Sequence, residues 1–180
     1  SLNYTGEKLQ SVFGGAWNQY DGDHFGRIVW SDVAVNIPQD YEYYFNSANK
    51  KDFNIYFKNN YQFSSVNVFL DLQYRKIDYK TFFDTNYDVG YNFFNPKAGI
   101  VWDLANGNQL YGSIAVANRE PVRADFVDAI DGKVPKHEFL LNEEFGWRVN
   151  KSKYALQLNG YVMSYKNQLV LTGALNDVGD

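Results

Sequence analysis

The chain has 180 residues, no cysteine, a formal net charge of -4 and an aromatic content of 18%. Without cysteine there is no disulfide scaffold and no Cys-ligated metal site, and mild acidity with scattered Lys and Arg leaves no nucleic-acid footprint. The longest apolar run is four residues, Ile114 to Ala117, against about 18 for a membrane helix, while the apolar content is too high for disorder. In chain order, period-2 alternation predicts seven strands. They are Lys8–Tyr20, Ala48–Phe63, Ser65–Tyr79, Asn92–Asp103, Gln109–Asn118, Glu138–Asn150 and Lys153–Lys166. The first is the faintest, with Leu9, Phe13 and Trp17 on one side. In the second, Phe53, Ile55, Phe57, Tyr61 and Phe63 oppose Asn54, Tyr56, Lys58, Asn60 and Gln62. In the sixth, Phe145, Trp147 and Val149 oppose Glu144, Gly146 and Arg148.

The connections alternate between long and short. Asp21–Ser47, Lys80–Tyr91 and Arg119–His137 are long. The turns at Ser64-Ser65, at Leu104–Asn108 and at Lys151-Ser152 are tight, and Asn106-Gly107 is a hairpin-turn dipeptide. In an up-and-down sheet this places every long loop on one edge and every tight turn on the other. That asymmetry belongs to outer-membrane barrels. The fold expected is therefore all-β, an antiparallel meander of about seven long strands forming a segment of a transmembrane barrel. Long strands, polar faces carrying Asp71, Arg75, Lys97, Glu144 and Arg148, and aromatics near strand ends favour this fold. Those aromatics, Tyr41, Tyr43, Tyr44, Phe45, Phe82, Phe83, Phe93 and Phe94, are read as an interfacial girdle. The competing expectation is a soluble β-sandwich or lipocalin-like binding module, for example one for carbohydrate. It would turn Phe53, Phe57, Leu70, Leu72, Trp147 and Leu156 inward against a second sheet, whereas a barrel turns them outward.

Three stretches carry a family resemblance. Leu110–Phe126, with Arg119-Glu120-Pro121 at its centre, resembles the strand and extracellular loop of TonB-dependent outer-membrane receptors. Glu143-Glu144-Phe145-Gly146-Trp147-Arg148 is similar to the family's E-x-G-W/Y-R strand, and Gly160–Leu169 to the strand that follows. Tyr20–Gly26 and Asn95–Gly99 also resemble the family, so the likeness covers the whole chain. It implies that residues 1–180 are part of the barrel, without the plug domain and without the closing C-terminal strand. It implies an outer-membrane location in a Gram-negative bacterium, and import of a scarce solute such as an iron chelate, corrinoid or oligosaccharide. The implied partners are membrane lipid, the plug domain, the TonB complex and the solute. An isolated segment with two bare edges is expected to self-associate. Ser1–Tyr4 lacks the features of a signal peptide, and Asn176–Asp180 reads as a turn, which is also expected of a piece of something larger.

Individual residues are weighed against their structural roles. Arg119 and Arg123 flank Pro121 at a loop entrance, where guanidinium groups suit an anionic ligand or plug carboxylates. The favoured alternative is an ion pair with Glu120, Asp125 or Glu144. Glu120, Glu144, Arg148 and Trp30 join them as candidates for ligand or plug contact. Asp21, Asp23 and His24 are weak metal candidates, read more readily as a polar turn. Asp125, Asp128 and Asp131 lack calcium-loop spacing, and a short surface helix over Val122–Ile130 is expected instead. There is no Gly-x-Ser-x-Gly and no thiol, and no carboxylate pair is placed around a cleft, so neither catalysis nor a cofactor is expected.

Overall fold

A computed structural model describes residues 1–30, 38, 40–82, 86–127, 129 and 133–168. It contains eight strands, β1 (Leu2–Thr5), β2 (Leu9–Ile28), β3 (Tyr41–Phe63), β4 (Val66–Phe82), β5 (Tyr87–Asp103), β6 (Asn108–Arg119), β7 (Glu138–Asn150) and β8 (Ala155–Lys166). A one-turn helix, α1 (Arg123–Val127), lies between β6 and β7. The strands form a single sheet in sequence order, every neighbour antiparallel. No second sheet covers either face among the described residues, so the sandwich expectation fails. The added strand is β1, a four-residue hairpin partner to the start of β2.

Two of the expected long loops are mostly strand. Asp21–Ile28 and Tyr41–Ser47 pair with each other and extend the β2–β3 hairpin, with a bulge between Gly26 and Arg27. Lys80–Phe82 and Tyr87–Tyr91 likewise belong to β4 and β5. Alternation there is carried by Tyr, Asp, Lys and Gly, which obscures a period that aliphatic residues would have made plain.

The pleat sorts the side chains. On the outer face stand Leu9, Phe13 and Trp17 of β2, Phe53, Ile55 and Phe57 of β3, Val68, Leu70 and Leu72 of β4, and Ile100 and Trp102 of β5. Leu110, Ile114, Phe145, Trp147, Leu156 and Leu158 continue that face through β6, β7 and β8. Beyond a clear line the same face turns polar. Gln19 follows Trp17, Lys51 precedes Phe53, Lys76 follows Tyr74 and Asn92 precedes Phe94. The apolar stretch of β3, Phe53 to Phe63, is eleven residues, which at about 3.3 Å each and a tilt near 40° gives a height of about 28 Å. Tyr74 marks the line, its hydroxyl donating to Asn92 Oδ1 at 2.7 Å. The polar groups Ser11 and Asn59, which lie within the band, satisfy each other at 2.6 Å, as backing onto hydrocarbon requires. Glu143 also stands on this face, between Ile114 and Val162.

This line corrects the girdle expectation. Tyr41 to Phe45 and Phe82 lie on hairpins well beyond the band, and Phe93 points to the opposite face, where it is buried. Phe94 is at the line, and Phe83 lies outside the described residues.

The inner face is polar and crossed by aromatics. Tyr56 lies over Gly14, Phe69 over Gly99 and Tyr111 over Gly146, each pair directly opposite in register. The ring covers backbone that the glycine leaves bare, a known device for steadying curved sheets. At the β5–β6 turn, Asn106 and Gly107 have φ of 61° and 70°, the left-handed pair that an Asn-Gly hairpin turn supplies. The β5–β6 ladder ends at Lys97↔Ala115, beside Pro96, which has no N–H to donate. Asn118 instead donates its backbone N–H to Asn95 Oδ1 at 3.0 Å. Released from β5, the chain after Arg119 is free to swing inward.

Candidate functional site on the inner face

The β6–β7 connection lies back across the inner face, passing β5 and β4 to reach β3. Two anchors hold it. The first is electrostatic. Glu120 accepts hydrogen bonds from Lys50 Nζ at 2.7 Å and from Arg75 Nη1 and Nη2 at 3.0 and 3.1 Å. Arg75 also clamps Asp52, with Nη2 to Oδ2 at 2.6 Å and Nε to both oxygens at 3.1 and 3.2 Å. Lys50 and Asp52 alternate on β3, and Arg75 faces them from β4, so strand periodicity gathers the cluster and the loop completes it. Burial alone would raise the Glu120 carboxyl. The hydrogen bond from Lys50 and the charges of Lys50 and Arg75 outweigh it, and hold the group below its ordinary value.

The second anchor is aromatic. Phe126 on α1 is only 2% exposed and sits between the rings of Tyr79 and Tyr87, with centroids 5.4 and 5.2 Å away. Such tilted pairs add to plain burial. Farther along the connection, the His137 ring packs on Phe93 at 5.3 Å, and Tyr91 donates its hydroxyl to Pro135 O at 3.4 Å. The expected helix over Val122–Ile130 is therefore shorter, Arg123–Val127, and docked rather than merely on the surface. Residues 128 and 130–132 lie outside the described residues.

Beside the anchors opens a pocket of about 330 Å³, lined by Tyr20, His24, Lys50, Tyr79, Tyr91, Glu120 and Arg123 among others. Tyr20 and His24 approach each other at 3.4 Å, Oη to Nε2. The lining joins phenols, an imidazole, two cations and the Glu120 carboxylate.

The candidate residues are distributed as follows. Glu120 is central, and Arg123 lines the pocket, its Nη2 donating to the Asn46 amide oxygen at 2.9 Å. Arg119 stands apart. Its Nε pairs with Glu138 at 2.9 Å, not with Glu120, Asp125 or Glu144. Asp125 instead accepts from the Val122 backbone N–H at 2.6 Å. Arg148 lies over the Tyr111 ring at 5.5 Å, and Glu144 sits between Ser113 and Tyr161. Both are on the inner face near the tight-turn end, away from the pocket. Trp30 follows the end of β2 and is 76% exposed. The pleat separates Asp21 and Asp23, on the outer face, from His24 on the inner one, and Asp21 is hydrogen-bonded to Gln19 and Asn49. Of the expected charge ladders, Asp71 meets Lys58 at 3.4 Å and Arg75 meets Asp52, while Lys97 lies over the Phe69 ring at 5.6 Å.

The remaining members of the site, Lys50, Asp52, Tyr79, Tyr87, Tyr91, Phe126 and His137, had no signal of their own in the sequence. The nearest was the alternation of Tyr87, Tyr91 and Phe93, which places them on one face once β5 is extended.

Comparison with known proteins agrees with this architecture. The family profile described as TonB dependent receptor-like, beta-barrel matches residues 1–180. The chain belongs to that family. A solved structure titled Copper transporter OprC has a TM-score of 0.73 at 14% identity, over 89% of this chain and 28% of that one. The likeness is one of fold, and this chain spans little more than a quarter of OprC. No curated protein matches by sequence. Among the described residues the eight strands form an open sheet and do not close into a barrel.

Proposed function

We infer that this segment is wall, inner lining and one docked outer loop of an outer-membrane importer. The observation that carries the reading is the outer face, mostly apolar over a band of membrane height, with Glu143 a charged exception, and charged beyond it, while the inner face carries most of the hydrogen-bonded and charged groups. The long-loop edge faces outside the cell and the tight turns face the periplasm. The plug, held against inner-face groups such as Glu144 and Arg148, would be drawn by the TonB complex to open a path.

The pocket beside Glu120 supports an oxygen-rich, anionic solute. Phenol hydroxyls and cations are donors, and Arg123 brings positive charge beside the Lys50–Glu120 pair to a site where water is partly excluded. Of the solutes named above, an iron chelate fits that chemistry best. The test uses cells producing the full-length receptor, with uptake measured for a labelled iron chelate, a corrinoid, an oligosaccharide and copper ion. Selective uptake of the chelate, reduced about tenfold by Arg123→Gln as expected for loss of a charge-assisted hydrogen bond, supports the reading. Uptake of one of the other three, unaffected by that substitution, refutes the solute class. A receptor that stays in buffer and takes up no detergent refutes the membrane role.

A further inference from the structure

The outer face carries a groove that nothing among the described residues fills. It runs across β5 to β8 close to the tight-turn edge and encloses about 680 Å³. Ile100, Trp102, Leu110, Trp147 and Leu158 line it. Its depth comes from one register row, Ile100↔Gly112↔Phe145↔Gly160. Gly112 leaves a trough on one side of the Phe145 ring, which leans over Gly160 on the other. The Trp147 ring forms a fixed rim, its Nε1–H bonded to Asn108 Oδ1 at 3.1 Å. Farther along β7 from Trp147 lies the β7–β8 turn, Lys151-Ser152-Lys153-Tyr154, closed by a bond from Lys151 N to Tyr154 O at 2.9 Å. From Trp147 to Lys151 is four residues, about 13 Å of strand. Among the described residues neither Lys151 nor Lys153 forms an ion pair, and Tyr154 is exposed beside them.

We propose that this groove is a binding site for one anionic glycerophospholipid of the periplasmic leaflet. An acyl chain lies in the glycine trough, and the phosphate lies against Lys151 and Lys153, with Tyr154 at headgroup level. The charge decides the occupant. Two unpaired cations at the foot of an apolar slot complement an anionic headgroup joined to a hydrocarbon tail, and a tyrosine at the water interface fits that depth. The proposal rests on the membrane reading given above.

The test uses the full-length receptor in detergent, offered phosphatidylglycerol or phosphatidylcholine, with retained lipid counted by native mass spectrometry. Gly112→Leu fills the trough. A Cβ there meets nothing closer than Glu144 O at 3.6 Å, so the barrel accepts it, and a heat-shifted gel band confirms folding. Wild type is expected to retain one phosphatidylglycerol about tenfold more strongly than phosphatidylcholine. Gly112→Leu should lose it, and Lys151→Ser with Lys153→Ser should hold both lipids equally. Equal retention by wild type and a folded, detergent-binding Gly112→Leu receptor overturns the proposal and leaves the membrane reading intact. So does the absence of a headgroup preference in wild type, or a receptor dimer that Gly112→Leu abolishes. A receptor that binds no detergent removes the membrane reading and the proposal together.

Discussion

Replacing Glu120 by Gln isolates the electrostatic anchor of the inward loop. The carboxylate accepts three hydrogen bonds from cations, at 2.7, 3.0 and 3.1 Å, and its side chain is 13% exposed. Charge-assisted bonds contribute about 1.5–3 kcal/mol each. Gln keeps the shape and one acceptor oxygen, so one to two such bonds are lost. Arg75 keeps Asp52 as a partner, and Lys50 is 32% exposed and regains water, which discounts the loss to about 2 kcal/mol. That corresponds to about a 30-fold rise in the open population of the loop. Hydrogen exchange on the full-length receptor reads it directly, in peptides covering residues 119–129 and 133–138, because local opening sets the exchange rate there. Glu143→Gln, on the outer face, is the control and should leave those peptides unchanged. If Glu120→Gln leaves the loop as protected as wild type, the charge cluster does not hold it.

Other expectations follow from the same geometry. Phe126→Ala removes a buried ring between Tyr79 and Tyr87 and should cost about 3 kcal/mol of loop docking; limited proteolysis between Arg119 and Glu138 should then become rapid, and resistance equal to wild type would count against the aromatic anchor. The Glu120 carboxyl is held below its ordinary value of 4.5, so its contribution is fully present above that pH and is lost as pH falls through the lower folded value. Loop protection, corrected for intrinsic exchange, should stay level from neutral pH to about 4.5 and fall only below; a decline beginning near pH 6 would show that another group controls docking. Gly107→Val forces a β-branched residue to φ of 70° and brings a Cβ against Asn150 O. It should lower the unfolding midpoint of the barrel, at a cost of about 1–3 kcal/mol, and an unchanged midpoint would mean that the turn has shifted. Residues 1–180 alone, refolded in buffer, should sediment as oligomers, because β8 and most of β2 are bare edges and the outer face is apolar. A monomer with a cooperative melt would contradict that.

Much of this protein is legible in its local chemistry. Strand periodicity depends only on which residues alternate, and Glu138–Asn150 is bounded alike by pattern and by structure because Phe, Trp and Val there face strongly polar neighbours. The Asn106-Gly107 turn follows from the two residues that accept a positive φ most readily. Where alternation runs through Tyr, Asp, Lys and Gly, as over Asp21–Ser47, pattern alone cannot separate a solvated hairpin from a loop, since both faces meet water. What only the tertiary structure decided is the partner of each charge. Arg119 could reach several carboxylates along the chain, yet the register places Glu138 directly opposite it. Glu120 finds Lys50 and Arg75, 70 and 45 residues away. That meeting depends on the ladder stopping at Pro96 and on the sheet curving until the β6–β7 connection reaches β3. Those conditions arise between strands and leave no periodic trace within any one of them.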